Sequence, residues 1–460
     1  MTKVNFVWNN SGVTYCKNKS ISGDICSIIN LIMLDRFKKL KNVTKKLPVS
    51  SSSDKLLIGL DIGTEVAKAL IARINGDELE VIGVGRAKQS LSDMQSGAIA
   101  DIAGVVANCE KALTQAENMA GVKPRQAVVG IAGELVKGLT TTVKYRRPSP
   151  EKPLDSNEIE LIIDKAQART LDRAQKQLEL ETGKKDVEVK LVNSAIVSIH
   201  IDTYKVSNPI GFQGKEVVIQ LYTAFAPMVH IGALERTAAE LDLDLMAVAA
   251  GPIAVSRSGI CADASSSFTA IFIDIGGGTT DIAVVDDGGV QGTRMFGIGG
   301  RAFTKAIATE LDLEFAEAEK VKLSLSKDAL DSQTKARALS AIDRTLAVWL
   351  DGVELALSEF TGVDHLPHRI LMCGGGASLE PLMKALKEQK WYKDLPFTRK
   401  PTVELIDPDQ VAEIDDATGK VTDHTLITAL GLLRVGYDTI LGSEGRTNRL
   451  KEKFNKMLSI

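Results

Sequence analysis

The apolar positions of residues 55–87 fall into three short runs: LLIGLDIG (56–63), VAKALIARI (66–74) and LEVIGVGRA (79–87). The first ends in glycine, and the turn NGDE (75–78) separates the second from the third. Runs of this length between Gly, Asn and Asp predict three strands joined by tight turns. A helix is predicted over about 99–120 and a strand over AVVGIAG (127–133). The same pattern returns at 268–298, where FTAIFIDIGG, DIAVVDD and GGVQGTRMFGIG precede a helix at about 301–311. The chain thus carries an internal repeat of strand, glycine loop, strand, turn, strand and helix.

About 100 residues separate the two copies. The charged stretch 151–181 reads as helix, 187–204 alternates like strands, and SNPIGFQG (207–214) reads as a turn. KEVVIQLYTAFAP (215–227) is a further strand, 228–241 a helix and LDLMAVAAGP (243–252) a strand. Together they predict a small α+β insert. After 300 the pattern is mainly helical to about 365. RILMCGGG (369–376) then gives one more strand and glycine loop, with a helix from about Leu379 and an apolar helix over 425–437.

The two ends differ from this core. Residues 1–32 show no period, and Met33 is a possible start. Residues 33–46 place Met33, Leu34, Phe37, Leu40 and Val43 at helical spacing among six Lys/Arg; a solvated tail and a membrane contact both fit. PVSSSSD (48–54) reads as a linker. At the other end, LGSEGRT (441–447) precedes NRLKEKFNKMLSI. There Leu450, Phe454, Met457 and Leu458 share one helical face, and Arg449, Lys451, Lys453 and Lys456 line the rest. Such a helix can dock on the protein or lie in an anionic membrane surface, and the polar linker favours the second.

Composition narrows the classes. A length of 460 residues predicts two to four domains, and a net charge of -3 gives no reason to expect nucleic-acid binding. Five scattered cysteines without a CxxC argue against a disulfide framework or structural zinc, and fit a reducing compartment. No apolar run reaches the roughly 18–20 residues of a spanning helix.

The candidate chemistry lies in the repeat. Asp-Ile-Gly-Thr (61–64) and Asp-Ile-Gly-Gly-Gly-Thr-Thr-Asp (274–281) each join two strands. Gly63, Gly276, Gly277 and Gly278 let main-chain N–H groups approach phosphate, and Thr64, Thr279 and Thr280 add hydroxyls. Asp61 and Asp274 end their strands and are placed to hold Mg2+ through water. A third loop, CGGGASLEP (373–381), leaves room at Gly374, Gly375 and Gly376 for an adenosine. These features predict ATP held between two facing hairpins. GxxxxGK[ST], GxSxG and HExxH are all absent, so P-loop, serine-hydrolase and zincin chemistry are excluded.

The chain resembles the actin, sugar-kinase and heat-shock-chaperone superfamily, and within it the bacterial FtsA family over about 55–460. DMQSGAIADI (93–102), AENMAGVKPRQAVVGIAG (116–133), SNPIGFQG (207–214), IDIGGGTTDIAV (273–284), AEAEKVK (316–322), LMCGGGASLEPL (371–382) and the basic tail carry the likeness. The resemblance implies an actin-like α/β ATPase fold, two lobes each with a βββαβα core and an FtsA-type inserted subdomain. It implies subdomain 1A at 55–140 and 244–268, the inserted 1C at 141–243, 2A at 269–300 and 366–440, and 2B at 301–365. An extension (1–54), a linker (441–448) and a membrane helix (449–460) complete the plan. It also implies Glu319 and Lys322 beside adenosine, actin-like filaments, and an FtsZ contact at about 301–365. A peripheral position on the cytoplasmic face of the membrane at the division site follows, with other divisome proteins as partners.

One departure bears on catalysis. Gly251 stands where relatives carry the Glu or Gln that positions an attacking water, so ATP binding is expected with slow hydrolysis at most, and no catalytic residue is assigned. A PilM-like pilus scaffold and a sugar-type kinase are the alternatives. The first lacks a membrane tail, and the second needs a base and a sugar pocket that the sequence does not place. A chaperone would need a peptide-binding domain after the core.

Overall fold

The computed structural model describes residues 55–444, except 77, 133–135, 186, 207, 258–267, 326–329 and 361, and without the side chains of 441–444. The expectations for 1–54 and for the tail at 449–460 lie outside the described residues.

Three strands open the first sheet: β1 (Lys55–Ile62), β2 (Val66–Asn75) and β3 (Glu78–Lys88). They pair antiparallel in sequence order because only a few residues separate them, which suffices for a hairpin but not for a crossover. A two-residue ribbon, β4 (Met94–Gln95) with β5 (Ala98–Ile99), precedes α1 (Ile102–Ala120). The helix starts later than the apolar pattern suggests because Asp101 caps it, accepting from Ala103 N–H. It ends at Gly121, which takes the left-handed conformation. The next strand, β6 (Gln126–Ile131), returns parallel to β1.

The insert segment follows. Its members are β7 (Lys137–Arg146), α2 (Ser156–Thr182), β8 (Val189–Ile201), β9 (Tyr204–Lys205), β10 (Glu216–Pro227) and α3 (Met228–Glu240). β11 (Asp244–Ala250) then joins the first sheet parallel to β6. The pattern had run this strand through residue 252, but Gly251 opens a short helix, α4 (Gly251–Arg257).

The second copy of the repeat is β12 (Ala270–Ile275), β13 (Thr280–Asp286) and β14 (Gly289–Phe296). Three helices follow: α5 (Gly300–Leu311), α6 (Phe315–Ser324) and α7 (Ser332–Ser358). β15 (Arg369–Cys373) returns parallel to β12, α8 (Glu380–Glu388) follows, and β16 (Thr402–Leu405) lies parallel to β15. β17 (Ile414–Asp416) edges the first sheet beside β3, and α9 (Ile427–Glu444) closes the described chain.

The strand orders state the repeat directly. The first sheet runs β11-β6-β1-β2-β3-β17, and the second runs β16-β15-β12-β13-β14 before continuing into β7-β10-β8-β9. In each half, three antiparallel strands are followed by two that return parallel to the first. The continuation is a join the sequence pattern does not announce. Thr293 of β14 pairs with Gly138 of β7, and Tyr222 Oη lies 2.9 Å from Thr293 Oγ1.

α9 holds the first half together. Leu430, Leu432 and Leu433 are buried in the same core as Leu57, Leu60 and Val128. A separate core under the second half gathers Ile271, Ile273, Phe303 and Trp349.

Candidate functional site

The β1–β2 and β12–β13 hairpins meet at their tips. A Cβ on Gly277 would lie 2.9 Å from Glu65 Cβ, and one on Gly278 would lie 3.0 Å from Thr64 Oγ1. Only glycine allows this approach. Beside the contact opens a cavity of about 990 Å3. Asp61, Gly63 and Thr64 line it from the first loop, and Asp274, Gly276, Gly277 and Thr279 from the second. Gly374, Gly375 and Gly376 line it from the end of β15, and Glu319 and Lys322 from α6. Four segments far apart in the chain therefore face one space.

Two of the expected residues do not line it. Gly278 faces Thr64 instead. Thr280 corrects the sequence reading: it is fully buried, and its hydroxyl donates to Ile298 O at 2.7 Å and accepts from Trp349 Nε1 at 2.9 Å. That hydroxyl serves the core and has no free direction toward a ligand. The Thr279 hydroxyl is drawn to Asp281.

The strand register fixes the charges. Asp61 faces Lys68 across β1 and β2, and Asp274 faces Asp281 across β12 and β13. The repeat thus places a cation in one half where the other half has a carboxylate. Lys68 Nζ donates to Asp61 Oδ2 at 2.8 Å. Burial alone would pull the Lys68 ammonium down, but the charge and hydrogen bond of Asp61 hold it above its ordinary range. In the other half, burial pushes the Asp274 carboxyl up, opposed by the Thr428 hydroxyl, which donates to Asp274 Oδ2 at 2.7 Å. Asp281 is raised well above the carboxylate range, first by burial and then by Asp274. Its Oδ1 is buried without a hydrogen-bond partner.

This set fits a hydrated divalent cation carried by phosphate. Buried carboxylates crowded around one lysine gain from a positive ion, and an unpartnered Oδ1 can accept from a coordinated water. When bound, Mg2+ would shield the phosphate charge; Asp61 and Asp274 would orient its waters. Among the described residues no group of three or more His, Cys, Asp or Glu forms a metal cage.

The α6 wall of the cavity is also fixed from within. Lys322 Nζ pairs with Glu319 Oε2 at 2.8 Å and donates to Gly300 O at 3.0 Å and Thr304 Oγ1 at 2.8 Å. Gly251 lines the cavity at the start of α4. A Cβ there would lie 3.8 Å from Asp281 Oδ2 and 3.9 Å from Ile131 O, so the position has room for a side chain it does not carry.

Sequence reasoning missed Lys68, Asp281, Thr428 and Arg301. For Lys68 a signal existed, a charge two residues into the apolar run VAKALIARI, well before its other charge, Arg73. Asp281 stood at the end of the quoted motif without a role. Nothing in the sequence marks Thr428, 154 residues from its partner Asp274.

These features define an actin-like α/β fold with a cavity between two glycine hairpins. The PilM-PilN type IV pilus biogenesis complex has a chain of this fold, matching with a TM-score of 0.58 at 16% identity over 84% of this chain and 98% of that chain. Residues 271–431 match the family model described as Cell division protein FtsA. The chain is 26% identical over 361 residues to the cell division protein FtsA of Bacillus subtilis, covering 73% of this chain and 77% of the relative. It is 26% identical over 351 residues to that of Streptococcus pneumoniae, covering 72% of each. To that of Pseudomonas aeruginosa it is 26% identical over 280 residues, covering 60% of this chain and 62% of the relative. Within the actin-like class, the chain is a relative of the FtsA proteins.

Proposed function

We propose that this chain is an ATP-binding, actin-like cell-division protein that tethers FtsZ filaments to the cytoplasmic membrane and helps assemble the divisome. The observation that carries this reading is one cavity lined by two phosphate-type hairpins and a third glycine loop, in a relative of FtsA. ATP with Mg2+ is its ligand. The main-chain N–H groups of both hairpins cradle the phosphates, and Glu319, Lys322 and Gly374–Gly376 hold the adenosine. Binding ATP favours the closed arrangement of the hairpins, and that arrangement supports self-association into filaments. Hydrolysis is slow, because Gly251 supplies no side chain to orient a water.

Attachment to the membrane is assigned to residues 449–460. Leu450, Phe454, Met457 and Leu458 enter the lipid interface while Arg449 and Lys453 meet anionic headgroups, each cation adding roughly 1 kcal/mol near such a surface. Among the described residues no helix is long and apolar enough to cross a membrane. The likeness to PilM concerns the fold alone and does not favour a pilus role.

The test is co-sedimentation with anionic liposomes, with and without ATP and FtsZ. The wild type is expected to pellet and to carry FtsZ with it. Phe454→Glu is expected to stay in the supernatant. A variant that pellets like the wild type removes the tail as the anchor, and FtsZ left behind by pelleted wild type removes the tether.

A further inference from the structure

Arg301, at the start of α5, sits where the two hairpins meet, and no expectation from the sequence gave it a role. Its main-chain N–H donates to Gly277 O of the second loop at 2.8 Å. Its side chain crosses to the first loop: Nε donates to Glu65 Oε2 at 2.8 Å and Nη2 to Thr64 O at 2.7 Å. Nη1 reaches Met94 O at 3.3 Å. The Arg301 side chain is 13% exposed.

The acceptors are held in place. Asp93, buried, accepts from Ser90 N–H at 2.7 Å and from Asn108 Nδ2 at 2.8 Å through its Oδ2. Its main-chain oxygen accepts from Ala100 N–H at 2.8 Å. The DMQSG turn is thereby fixed beside α1. Gln89 N–H donates to Glu65 O at 2.9 Å, which ties the turn to the first loop. One side chain therefore joins three segments, two from the first half and one from the second.

We propose that Arg301 is a positioning residue, a clasp that sets the first glycine hairpin against the second through its guanidinium fork. Among the described residues, the side-chain hydrogen bonds from Thr64 and Glu65 to the second half come from Arg301, beside the glycine packing at Gly277 and Gly278, so the spacing of the hairpins depends on this fork. Part of the proposal rests on the ATP-binding reading: aligned hairpins present their N–H groups to one polyphosphate, and misaligned ones do not. A lysine cannot replace the fork, since its donors all leave one nitrogen, whereas Glu65 Oε2, Met94 O and Thr64 O are reached here by three different nitrogens of a planar group.

Two measurements test the clasp. In the full-length protein without added nucleotide, amide hydrogen exchange at residues 64–66 and 90–95 is expected to be roughly tenfold faster or more in Arg301→Ala than in the wild type. Unchanged protection overturns the clasp whether or not the protein binds ATP. The second measurement is the affinity for Mg·ATP. Arg301→Ala and Arg301→Lys are both expected to bind roughly tenfold or more weakly than the wild type. If Arg301→Lys binds like the wild type, the residue acts as a plain positive charge and the clasp is overturned. A wild type that binds no ATP, with accelerated exchange in Arg301→Ala, leaves the clasp standing and removes the nucleotide reading.

Discussion

Gly374→Val is expected to weaken Mg·ATP binding by roughly a hundredfold or more, about 2.8 kcal/mol, in a protein that still folds. Two effects add at this position. Gly374 has φ 81° and ψ 160°, a region open to glycine and costly for any residue with a Cβ. A Cβ there would also lie 2.1 Å from Asp274 Oδ1 and 2.6 Å from Ile275 O. The side chain can be admitted only if Asp274 moves or the third loop swings away from β12. Either movement separates two walls of the cavity, and Asp274 is one of the two carboxylates proposed to orient the waters of Mg2+. The loop follows β15, which stays paired on both sides by β12 and β16, so the damage is local. Titration calorimetry checks the affinity and circular dichroism the fold. An affinity within threefold of the wild type would place the ligand elsewhere.

Gly431→Ala is expected to lower stability by roughly 2–4 kcal/mol. On an exposed helix the same change would stabilise by about 0.5–1 kcal/mol, because alanine is the better helix former. Here a Cβ would sit 1.8 Å from Ala254 O and 2.3 Å from Ala254 C, which is main chain and cannot rotate away. α4 and α9 pack backbone to backbone through this glycine, so alanine forces them apart. At roughly 2–4 °C per kcal/mol the melting temperature should fall by about 5–10 °C or more. Because α4 begins at Gly251, in the cavity wall, ATP binding should weaken as well. A melting temperature equal to or above that of the wild type would contradict the close packing.

Much of this architecture was legible in the sequence because it rests on local signals. Strand runs closed by Gly, Asn or Asp gave β1–β3 and β12–β14, and the repeat between them anticipated the matching strand orders. The glycine loops were readable for the same reason, since close approach to a phosphate or to another loop leaves few residue choices. The losses share a cause. β7, KGLTTTVKYR, is rich in threonine and charge, and becomes a strand only by pairing with β10 along its length. β17 is three residues long and exists because it lies beside β3. Thr280 reads as a phosphate donor only because it stands in the glycine-threonine loop; its direction depends on Trp349, 69 residues away. Lys68 and Asp281 needed the register of a hairpin, and Arg301 needed two halves of the fold set side by side. Contacts of that kind are made by tertiary structure and leave no local mark.

In the proposed function the two hairpins bind ATP together. Titration of Mg·ATP into the full-length protein tests it most directly, with Asp274→Ala alongside. The wild type should show one saturable site with a dissociation constant on the order of 10 μM or tighter, and Asp274→Ala should show none while melting at a similar temperature. A wild type without saturable binding up to about 1 mM ATP, or an Asp274→Ala variant that binds as the wild type does, would contradict it.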